Sequence, residues 1–448
     1  MTTYVPHTER DREEMLATIG VASTDELFQD VPAECRFPEL ALPQPLSEPE
    51  ILTEMRSLSE QNWDVDHHAC FLGAGAYNHF IPSVVKHVIS RSEFYTAYTP
   101  YQPEVSQGTL QATFEYQSMV CDLTGMDVAN ASHYDGATSL AEALIMAVSI
   151  HRGQRRKVVM SRTVNPQYRA TARTYTESMS LEFAAESHPG LSLAALGDTT
   201  DTDTVCVVVQ IPDFLGHVPD LSAVQVLADR AHAAGALFVV SVNPISLGLL
   251  RPPGEYGADI VVGEGQALGN PLSFGGPYLG FFATRQAHVR RMAGRLVGMT
   301  LDRAGRRGFV LTLATREQHI RRERATSNIC TNQALNALAA AAYMAAMGPA
   351  GLRTVASQCY HKAHYAAARI GALPGYEVVS DPFFHEFVVR CPRPVDEIGR
   401  RLLEQSIIAG YDLRDDYPEL GEALLVCVTE MNSRAQIDGL VSAMGAMV

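Results

Sequence analysis

Short apolar segments alternate with helical segments through the middle of the chain, and this alternation restricts the fold more than any other feature. The predicted strands are Val128–Ala131, Lys157–Ser161, Val205–Ile211, Leu237–Val242, Asp259–Val262 and Leu279–Ala283. Helical stretches such as Ser139–Arg152 and Ser222–Ala234 lie between some of them. Near-continuous apolar strands are typical of a sheet that is covered on both faces, and their alternation with helices favours parallel pairing. The pattern predicts an α/β fold with a doubly wound, largely parallel sheet.

The two ends of the chain have different patterns. Residues 1–60 predict an N-terminal arm, in which helical stretches near Thr8–Gly20 and Ser23–Gln29 precede a proline-rich linker. The tail predicts, in order, helix Gly351–Ile370, strands Tyr376–Ser380 and Glu386–Val389, helix Val395–Ala409, strand Leu424–Thr429 and helix Ser433–Met447. We therefore expect an arm over 1–60, a large α/β domain over 61–345 and a small α/β domain over 346–448.

The charge of the chain argues against polyanionic partners. Asp and Glu number 50 against 35 Lys and Arg, which gives a formal net charge of −15, and such a surface repels nucleic-acid phosphates and anionic lipid. No signal sequence is recognisable, and the apolar stretch Ala334–Met347 is too short to span a bilayer. The 8 cysteines include no Cys-x-x-Cys pair. We expect a reduced, cytoplasmic protein with no nucleic-acid or membrane partner.

The segment from Phe71 to Tyr77 contains Gly73 and Gly75 at the spacing that begins a dinucleotide-binding fingerprint. The third glycine is missing, because Asn78 takes its place, and no convincing strand precedes the segment. A turn that glycine permits is the favoured interpretation.

Residues of metal-binding type also cluster, but without a complete ligand set. His67, His68 and Cys70 follow Asp64 and Asp66. Adjacent histidines usually point in different directions, and no second cluster completes a tetrahedral site, so no metal is expected. As possible nucleophiles, Cys121 and Cys330 have apolar or neutral neighbours, which favours buried packing.

The segment from Ala131 to Ala143 follows a predicted strand and begins a helix. Its small residues would let backbone N–H groups and the helix dipole bind a phosphate group. Asp135 and Thr138 are equally suited to cap the helix. A Pro…Gly turn, Gln210–Gly216, then follows one strand, and His232–Leu237 leads into the next.

This order of segments resembles fold-type-I enzymes that depend on pyridoxal phosphate (PLP). In that family a small-residue loop holds the phosphate, an Asp at a strand end pairs with the pyridine nitrogen, and a Lys one strand later forms the Schiff base. Here Ser241 stands at the Asp position and Ala267 at the Lys position, preceded by Gln266 where a His is frequent. The lysines of this chain are Lys86, Lys157 and Lys362, and none follows that strand. The resemblance therefore implies such a fold without its covalent anchor.

Three long sequence segments restrict the resemblance to one family. Phe94–Gly108, Gly257–Phe282 and Thr315–Gln333 look like the glycine cleavage system P-protein, glycine decarboxylase, and the likeness covers nearly the whole chain. They match its N-terminal half, which some bacteria and archaea make as a separate subunit 1. The family implies a mostly parallel seven-stranded sheet, a smaller C-terminal α/β domain and an N-terminal arm. Asn243 is a small departure, since an Asp is common there.

The resemblance also implies an activity: glycine dehydrogenase (aminomethyl-transferring), an oxidoreductase of glycine catabolism. With subunit 2, such a chain binds the amino group of glycine through PLP, releases CO₂ and transfers the aminomethyl group to the lipoyl arm of H-protein. PLP is then held covalently by subunit 2, and two copies of each subunit are expected. The residues of this chain expected at the shared site are Tyr95, Tyr98, Thr99, Tyr101, Gln102, Glu104, Ser106, Gln107, Gly108, Arg324, Thr326, Ser327 and Asn328.

Two other interpretations remain open. The chain could be an autonomous PLP enzyme that uses Lys86 or Lys157, although neither follows the sheet at the expected place. It could also be a non-catalytic scaffold or a small-molecule binding protein on the same fold. In that case the segments 95–108 and 324–328 would have only a structural role.

Overall fold

The computed structural model describes residues 6–185, 192–329 and 332–447. It separates into two compact units, one ending at Asn62 and one beginning at Trp63. Cys330 lies outside the described residues. The first unit contains helices α1 (Glu9–Ile19) and α2 (Glu48–Ser59), each begun by a capping box, and a short 3₁₀ helix, Thr24–Phe28, in place of the second predicted helix.

The second unit contains the remaining elements. Its strands are β1 (Ala69–Cys70), β2 (Val128–Ala129), β3 (Lys157–Met160), β4 (Glu182–Ala184), β5 (Thr204–Ile211), β6 (Leu237–Val242), β7 (Ile260–Glu264), β8 (Gly280–Thr284), β9 (Leu296–Leu301), β10 (Arg307–Thr312), β11 (Glu377–Val378), β12 (Glu386–Arg390), β13 (Ile407–Ile408), β14 (Tyr411–Asp412) and β15 (Ala423–Cys427). Its helices are α3 (Ser83–Ile89), α4 (Ser92–Tyr95), α5 (Gln107–Thr124), α6 (Gly136–Ile150), α7 (Pro166–Thr176), α8 (Leu193–Thr199), α9 (Leu221–Ala233), α10 (Gln318–Arg321), α11 (Ala334–Gly371), α12 (Val395–Leu403) and α13 (Arg434–Gly445).

The large sheet has the strand order β2-β8-β7-β6-β5-β3-β4, and only β8 runs against the others. Alternate residues of its central strands enter two separate cores: Val207 and Val240 pack with α5, α9 and α11, whereas Val208 and Val239 pack with α6. Because both faces are buried, these strands can be apolar throughout. The expected doubly wound, seven-stranded α/β fold is confirmed.

The C-terminal part forms its own antiparallel sheet, in the order β11-β12-β15-β14. This sheet packs with α12, α13 and the second half of α11 around a separate core. Gly348, at φ 60°, and Pro349 interrupt α11 close to residue 345; the division into domains there stays a prediction. Among the described residues α11 is the one helix long and apolar enough to cross a membrane by length and composition, but Ala340, Tyr343 and Cys359 on it are core residues.

The structure corrects the prediction of one long helix over Val395–Ala409. α12 ends at Leu403, Ser406 adopts a positive φ of 57°, and β13 follows and pairs with β1. The apolar residues after the turn therefore belong to a strand. The sequence pattern also missed β4 and the β9–β10 hairpin, both of which contain many half-exposed residues.

Candidate functional site

The carboxyl ends of the parallel strands meet at one edge of the large sheet, where ligands bind in open α/β folds. Ser241, near the end of β6, and Ala267, three residues beyond β7, are both buried there. Ala267 packs within the apolar core. Gln266 is also committed to the fold: its amide accepts a hydrogen bond from the backbone nitrogen of Tyr77 at 2.8 Å and donates to the carbonyls of Tyr77 and Asn270.

Helix α6 begins at the same edge. Asp135 caps it, accepting a 2.7 Å hydrogen bond from the Thr138 backbone nitrogen, as the capping interpretation predicts. The backbone nitrogen of Gly136, however, donates to Oε2 of Glu264 at 3.0 Å. The anion-binding end of this helix is therefore bonded to a side chain of the same protein.

The space that remains at this edge is small. A cavity of about 30 Å³ is lined by Tyr77, Tyr168, Gln210, Ser241 and Glu264, among others. That volume holds one or two water molecules. With no lysine, no carboxylate at Ser241 and no room for a phosphorylated ring, the residues at this edge do not fit PLP.

The lysines lie elsewhere. Lys157 begins β3, at the opposite end of the strands, where its amine bonds Asp201 and the carbonyl of Thr199. Lys86 is exposed on α3, and Lys362 bonds the carbonyl of Glu430. This placement removes the basis for an autonomous Schiff-base enzyme that uses Lys86 or Lys157.

The tyrosine-rich loop, residues 95–108, is a second and more open region. Tyr98 is 82% exposed, and Tyr95 and Tyr101 are exposed as well. Within the described residues, the side chains of Tyr98, Gln102 and Glu104 form no hydrogen bond or ion pair. A Cβ added to Gly108 would meet no atom within 4 Å. The loop therefore presents donors and acceptors that this chain does not use.

Two glutamines of α5 attach the β9–β10 hairpin beside this loop. Gln107 accepts from the backbone nitrogen of Phe309 and donates to its carbonyl, both at 2.9 Å, and Gln117 bonds the backbone of Val297 in the same way at 3.0 Å. Gln107 also donates to the carbonyl of Pro103 at 2.7 Å. Of the residues expected at the shared site, Gln107 thus has a structural role within the chain.

A cavity of about 170 Å³ lies between the loop, α5, the hairpin and α11, with Tyr95, Tyr98 and Thr99 in its wall. Arg295 contributes its positive charge to this cavity although it is only 7% exposed. Its guanidinium lies 5.8 Å from the ring centroid of Tyr101, and its Nε is 3.6 Å from Oε2 of Glu317. Among the described residues this Nε has no hydrogen-bond partner.

The second expected segment, residues 324–328, lies beside Glu317. Thr326 and Ser327 line a small cleft with Arg316, Glu317 and Gly294. Ser327 donates a 2.7 Å hydrogen bond to Glu142 and accepts one from the backbone nitrogen of Ile329. Arg324 and Asn328 are exposed. The two expected segments therefore converge around the buried Arg295–Glu317 pair.

Comparisons with known proteins match the chain along nearly its whole length. The model of the glycine cleavage system P-protein family matches residues 2–444. The chain is 55% identical over 445 residues to the probable glycine dehydrogenase (decarboxylating) subunit 1 of Thermomicrobium roseum, covering 98% of each chain. A crystal structure of glycine decarboxylase (P-protein) of the glycine cleavage system, in inhibitor-bound form, superposes with a TM-score of 0.89 at 44% identity over 100% of both chains. This chain belongs to the glycine cleavage system P-protein family.

The P-protein assignment confirms the expected subunit 1 role and the expected enzyme class. A sphingosine-1-phosphate lyase from Burkholderia pseudomallei has a TM-score of 0.65 at 14% identity and covers 93% of this chain and 94% of that one, a likeness of fold alone.

The remaining motifs of this P-protein chain have structural explanations. A Cβ at Gly73 would lie 2.5 Å from Oε1 of Glu386 and 2.7 Å from Cβ of Cys427. Glycine therefore allows this segment to lie close to β12 and β15. His67 bonds Asp64 at 2.8 Å on the surface, whereas Cys70 contacts the carbonyl of Leu72. Of the residues considered as ligands, His67 and Asp64 are therefore paired, whereas Cys70 bonds a different group. Burial raises the pKa of Cys121 to about 11, in agreement with a packed thiol.

The sequence did not predict a buried cluster formed by His79, Cys359 and Glu430. Oε2 of Glu430 accepts hydrogen bonds from Nδ1 of His79 at 2.7 Å and from Sγ of Cys359 at 3.3 Å. Burial raises the pKa of Glu430, but the interactions with His79, Phe80 and Cys359 together outweigh burial and lower the value to about 2. These residue types could hold a metal ion. No sequence signal reveals them, because 351 residues separate His79 from Glu430.

Proposed function

We propose that this chain completes a shared site with a partner subunit that holds PLP covalently. Together they decarboxylate glycine and transfer the aminomethyl group to the lipoyl arm of H-protein. The observation that most strongly supports the proposal is a contrast. The sheet edge of this chain is filled by its own side chains, whereas Tyr98, Gln102 and Glu104 of the tyrosine-rich loop have no hydrogen-bond partner among the described residues. A subunit that serves a site on another chain is expected to combine these two features.

We assign the loop to the substrate side of the shared site. Tyr95, Tyr98, Thr99, Gln102, Glu104 and Ser106 would supply hydrogen-bonding groups to a small zwitterion. Pro100 and Pro103 restrict the backbone, which reduces the ordering cost on binding. The buried Arg295 helps to hold the loop in place, because its guanidinium lies against the ring of Tyr101. Gln107 holds the base of the loop, and Gly108 leaves space for the partner.

We assign the segment 324–328 to the partner's cofactor phosphate. Arg324, Thr326 and Asn328 would present a guanidinium, a hydroxyl and an amide, groups that suit an anionic ester. Ser327 has a different role, because its hydroxyl is bonded to Glu142. It fixes the segment rather than reaching across the interface.

The proposal also covers the assembly. Relatives of this chain are named subunit 1, which implies a subunit 2. We propose two copies of each subunit, with lipoylated H-protein as a transient partner, working in the bacterial cytoplasm. An apolar interface is expected, since exposed Tyr98, Val105, Met299 and Leu301 lie on the loop and the neighbouring hairpin.

The alternative is a scaffold that only stabilises its partner. A scaffold does not require unpaired phenol, amide and carboxyl groups on a loop next to a cavity that contains a buried arginine. Substitutions in the loop that leave assembly intact distinguish the two functions, as argued in the Discussion.

The proposal is tested by reconstitution. The full chain, the partner subunit and lipoylated H-protein are purified separately, and glycine–bicarbonate exchange is measured for each combination. We expect activity only when both subunits are present, and borohydride reduction should attach PLP to the partner alone. Exchange by either subunit without the other, or reducible PLP on this chain, would contradict the proposal.

A further inference from the structure

One carboxyl group joins three backbone segments at the edge of the large sheet. Oε2 of Glu264 accepts the hydrogen bond from Gly136 at 3.0 Å, and Oε1 accepts from the backbone nitrogens of Gln266 at 2.9 Å and Leu279 at 3.0 Å. Gly136 begins α6, a helix of 15 residues whose N-terminal N–H groups and dipole attract an anion. Glu264 therefore fills a position at which an anion would bind.

The surroundings of Gly136 leave no space for a second group. A Cβ at this position would collide with the phenol of Tyr168 and lie 2.9 Å from the backbone nitrogen of Glu264. The adjoining cavity of about 30 Å³ is bordered by Tyr168 and Glu264 themselves. A phosphate ester could enter only if the Glu264 side chain left.

The hydrogen bonds at the helix start have the same effect. Asp135 accepts the N–H group of Thr138, so two carboxyl groups already bond two N–H groups of the first turn. Burial raises the pKa of Glu264 to about 8, so near neutral pH this carboxyl group closes the position by filling it and bonding its donors rather than by charge. A dianion brought to this place would meet donors that are already bonded.

We propose that the Glu264 carboxyl group is a built-in substitute for a cofactor phosphate. It bonds the N-terminus of α6 as a bound phosphate would, keeps the sheet edge of this chain closed, and excludes PLP and other phosphate esters from it. This chain then carries no non-covalent cofactor site at its sheet edge. The closure depends on residues of this chain alone and does not require the shared site to be correct.

The test removes the substitute and supplies an anion. Glu264→Ala leaves the N–H groups of Gly136, Gln266 and Leu279 without their acceptor and opens the cavity. We expect a melting temperature several degrees below that of the wild-type chain. Inorganic phosphate, at about ten times its dissociation constant, should restore roughly 2 °C or more, because it binds the folded state only. Sodium chloride at the same ionic strength should restore nothing.

The matched control is Glu142→Ala, which removes another buried carboxyl group from α6, away from its first turn. It should also lower the melting temperature, but phosphate and chloride should act on it alike. The wild-type chain should behave as this control does. A selective response to phosphate that is no larger in Glu264→Ala than in the wild-type chain and in Glu142→Ala would overturn the proposal.

A second measurement is independent of whether Glu264→Ala folds. The wild-type chain, alone and in the complex with its partner, is dialysed against excess PLP, and bound cofactor is counted by absorbance after denaturation. We expect none on the chain alone and one per pair in the complex. A ratio approaching two per pair, or saturable binding to the chain alone, would refute the closure even if the complex were fully active.

Discussion

The hydroxyl of Ser327 donates a 2.7 Å hydrogen bond to Oε1 of Glu142, a residue 185 positions earlier on α6. Burial raises the pKa of Glu142 to about 7, and the other oxygen of this carboxyl group has no hydrogen-bond partner among the described residues. The bond attaches the segment 324–328 to the helix that begins at the sheet edge. Ser327 and Thr326 are adjacent in sequence, yet among the described residues only the Ser327 hydroxyl forms hydrogen bonds.

This difference predicts distinct effects for two neighbouring hydroxyls. Thr326→Ala should weaken PLP retention by the assembled enzyme about tenfold or more, the cost of losing a hydrogen bond to a charged group, without changing its melting temperature. Ser327→Ala should lower the melting temperature and retention together, because the segment loses its anchor. Retention is measured by dialysis at fixed subunit concentration, with Thr326→Ser as the conservative control. Identical behaviour of the two alanine variants would argue against the assignment.

The tyrosine-rich loop predicts a loss of rate without a loss of assembly. Tyr98→Phe and Gln102→Ala should each reduce glycine–bicarbonate exchange by at least about tenfold, since one positioned donor at a reacting centre is worth roughly a hundredfold. Both side chains lack hydrogen-bond partners among the described residues, so the melting temperature and the subunit ratio should be nearly unchanged. Glu93→Ala, on α4 immediately before the loop, is the control, since it removes a polar group that bonds Arg91 on the surface. If activity falls only as far as assembly does, the loop is structural.

Much of the large domain could be predicted from the sequence because its strands are buried on both faces. Such strands are nearly continuous apolar runs: β6 occupies the predicted Leu237–Val242, and β5 begins one residue earlier than Val205–Ile211. β4 was missed because it is only three residues long, and β9 because Gly298 and Thr300 interrupt its apolar residues. Local composition does not reveal strands whose stability depends on long-range contacts, such as β9 against α5.

The candidate site was predictable only in part. The absence of lysine at position 267 can be read directly from the sequence. The hydrogen bond between Glu264 and Gly136 cannot, because the two residues are 128 positions apart and no local pattern links them. The same holds for Arg295, whose proximity to Tyr101 depends on the packing of the hairpin against α5. Sequence resemblance grouped Gln107 and Ser327 with the residues that face the partner. The structure, in contrast, shows their hydrogen bonds within the chain.

Gln107 provides a prediction about stability. Gln107→Ala removes three hydrogen bonds to backbone groups, two of them to the single residue Phe309. The free energy of unfolding should fall by about 1–3 kcal/mol, because the hairpin loses paired peptide groups that water replaces only in part. Gln111→Ala, one turn further along α5, is the control, since its amide bonds only Glu115 on the helix surface. Urea titration of both variants measures the difference. Equal losses would show that Gln107 does not hold the hairpin.

Glu386 and His133 predict opposite dependences of stability on pH. Burial raises the pKa of Glu386 to about 7, from an ordinary value of 4.5, and lowers that of His133 to about 3, from 6.5. Between pH 4.5 and 7 the folded protein keeps a proton on Glu386 that the unfolded chain has lost, so this contribution is complete below pH 4.5 and disappears as the pH rises. Between pH 3 and 6.5 the unfolded chain instead protonates His133, and this contribution to stability grows with pH.

Relative to Glu386→Gln, the wild-type chain should therefore lose up to about 1.4 kcal/mol of unfolding free energy per pH unit between pH 5 and 7. Relative to His133→Phe, which keeps a ring against Phe282, it should gain at a similar rate between pH 4 and 6. Urea titrations in the same buffers measure both slopes, and slopes of the same sign would contradict the burial of these two groups.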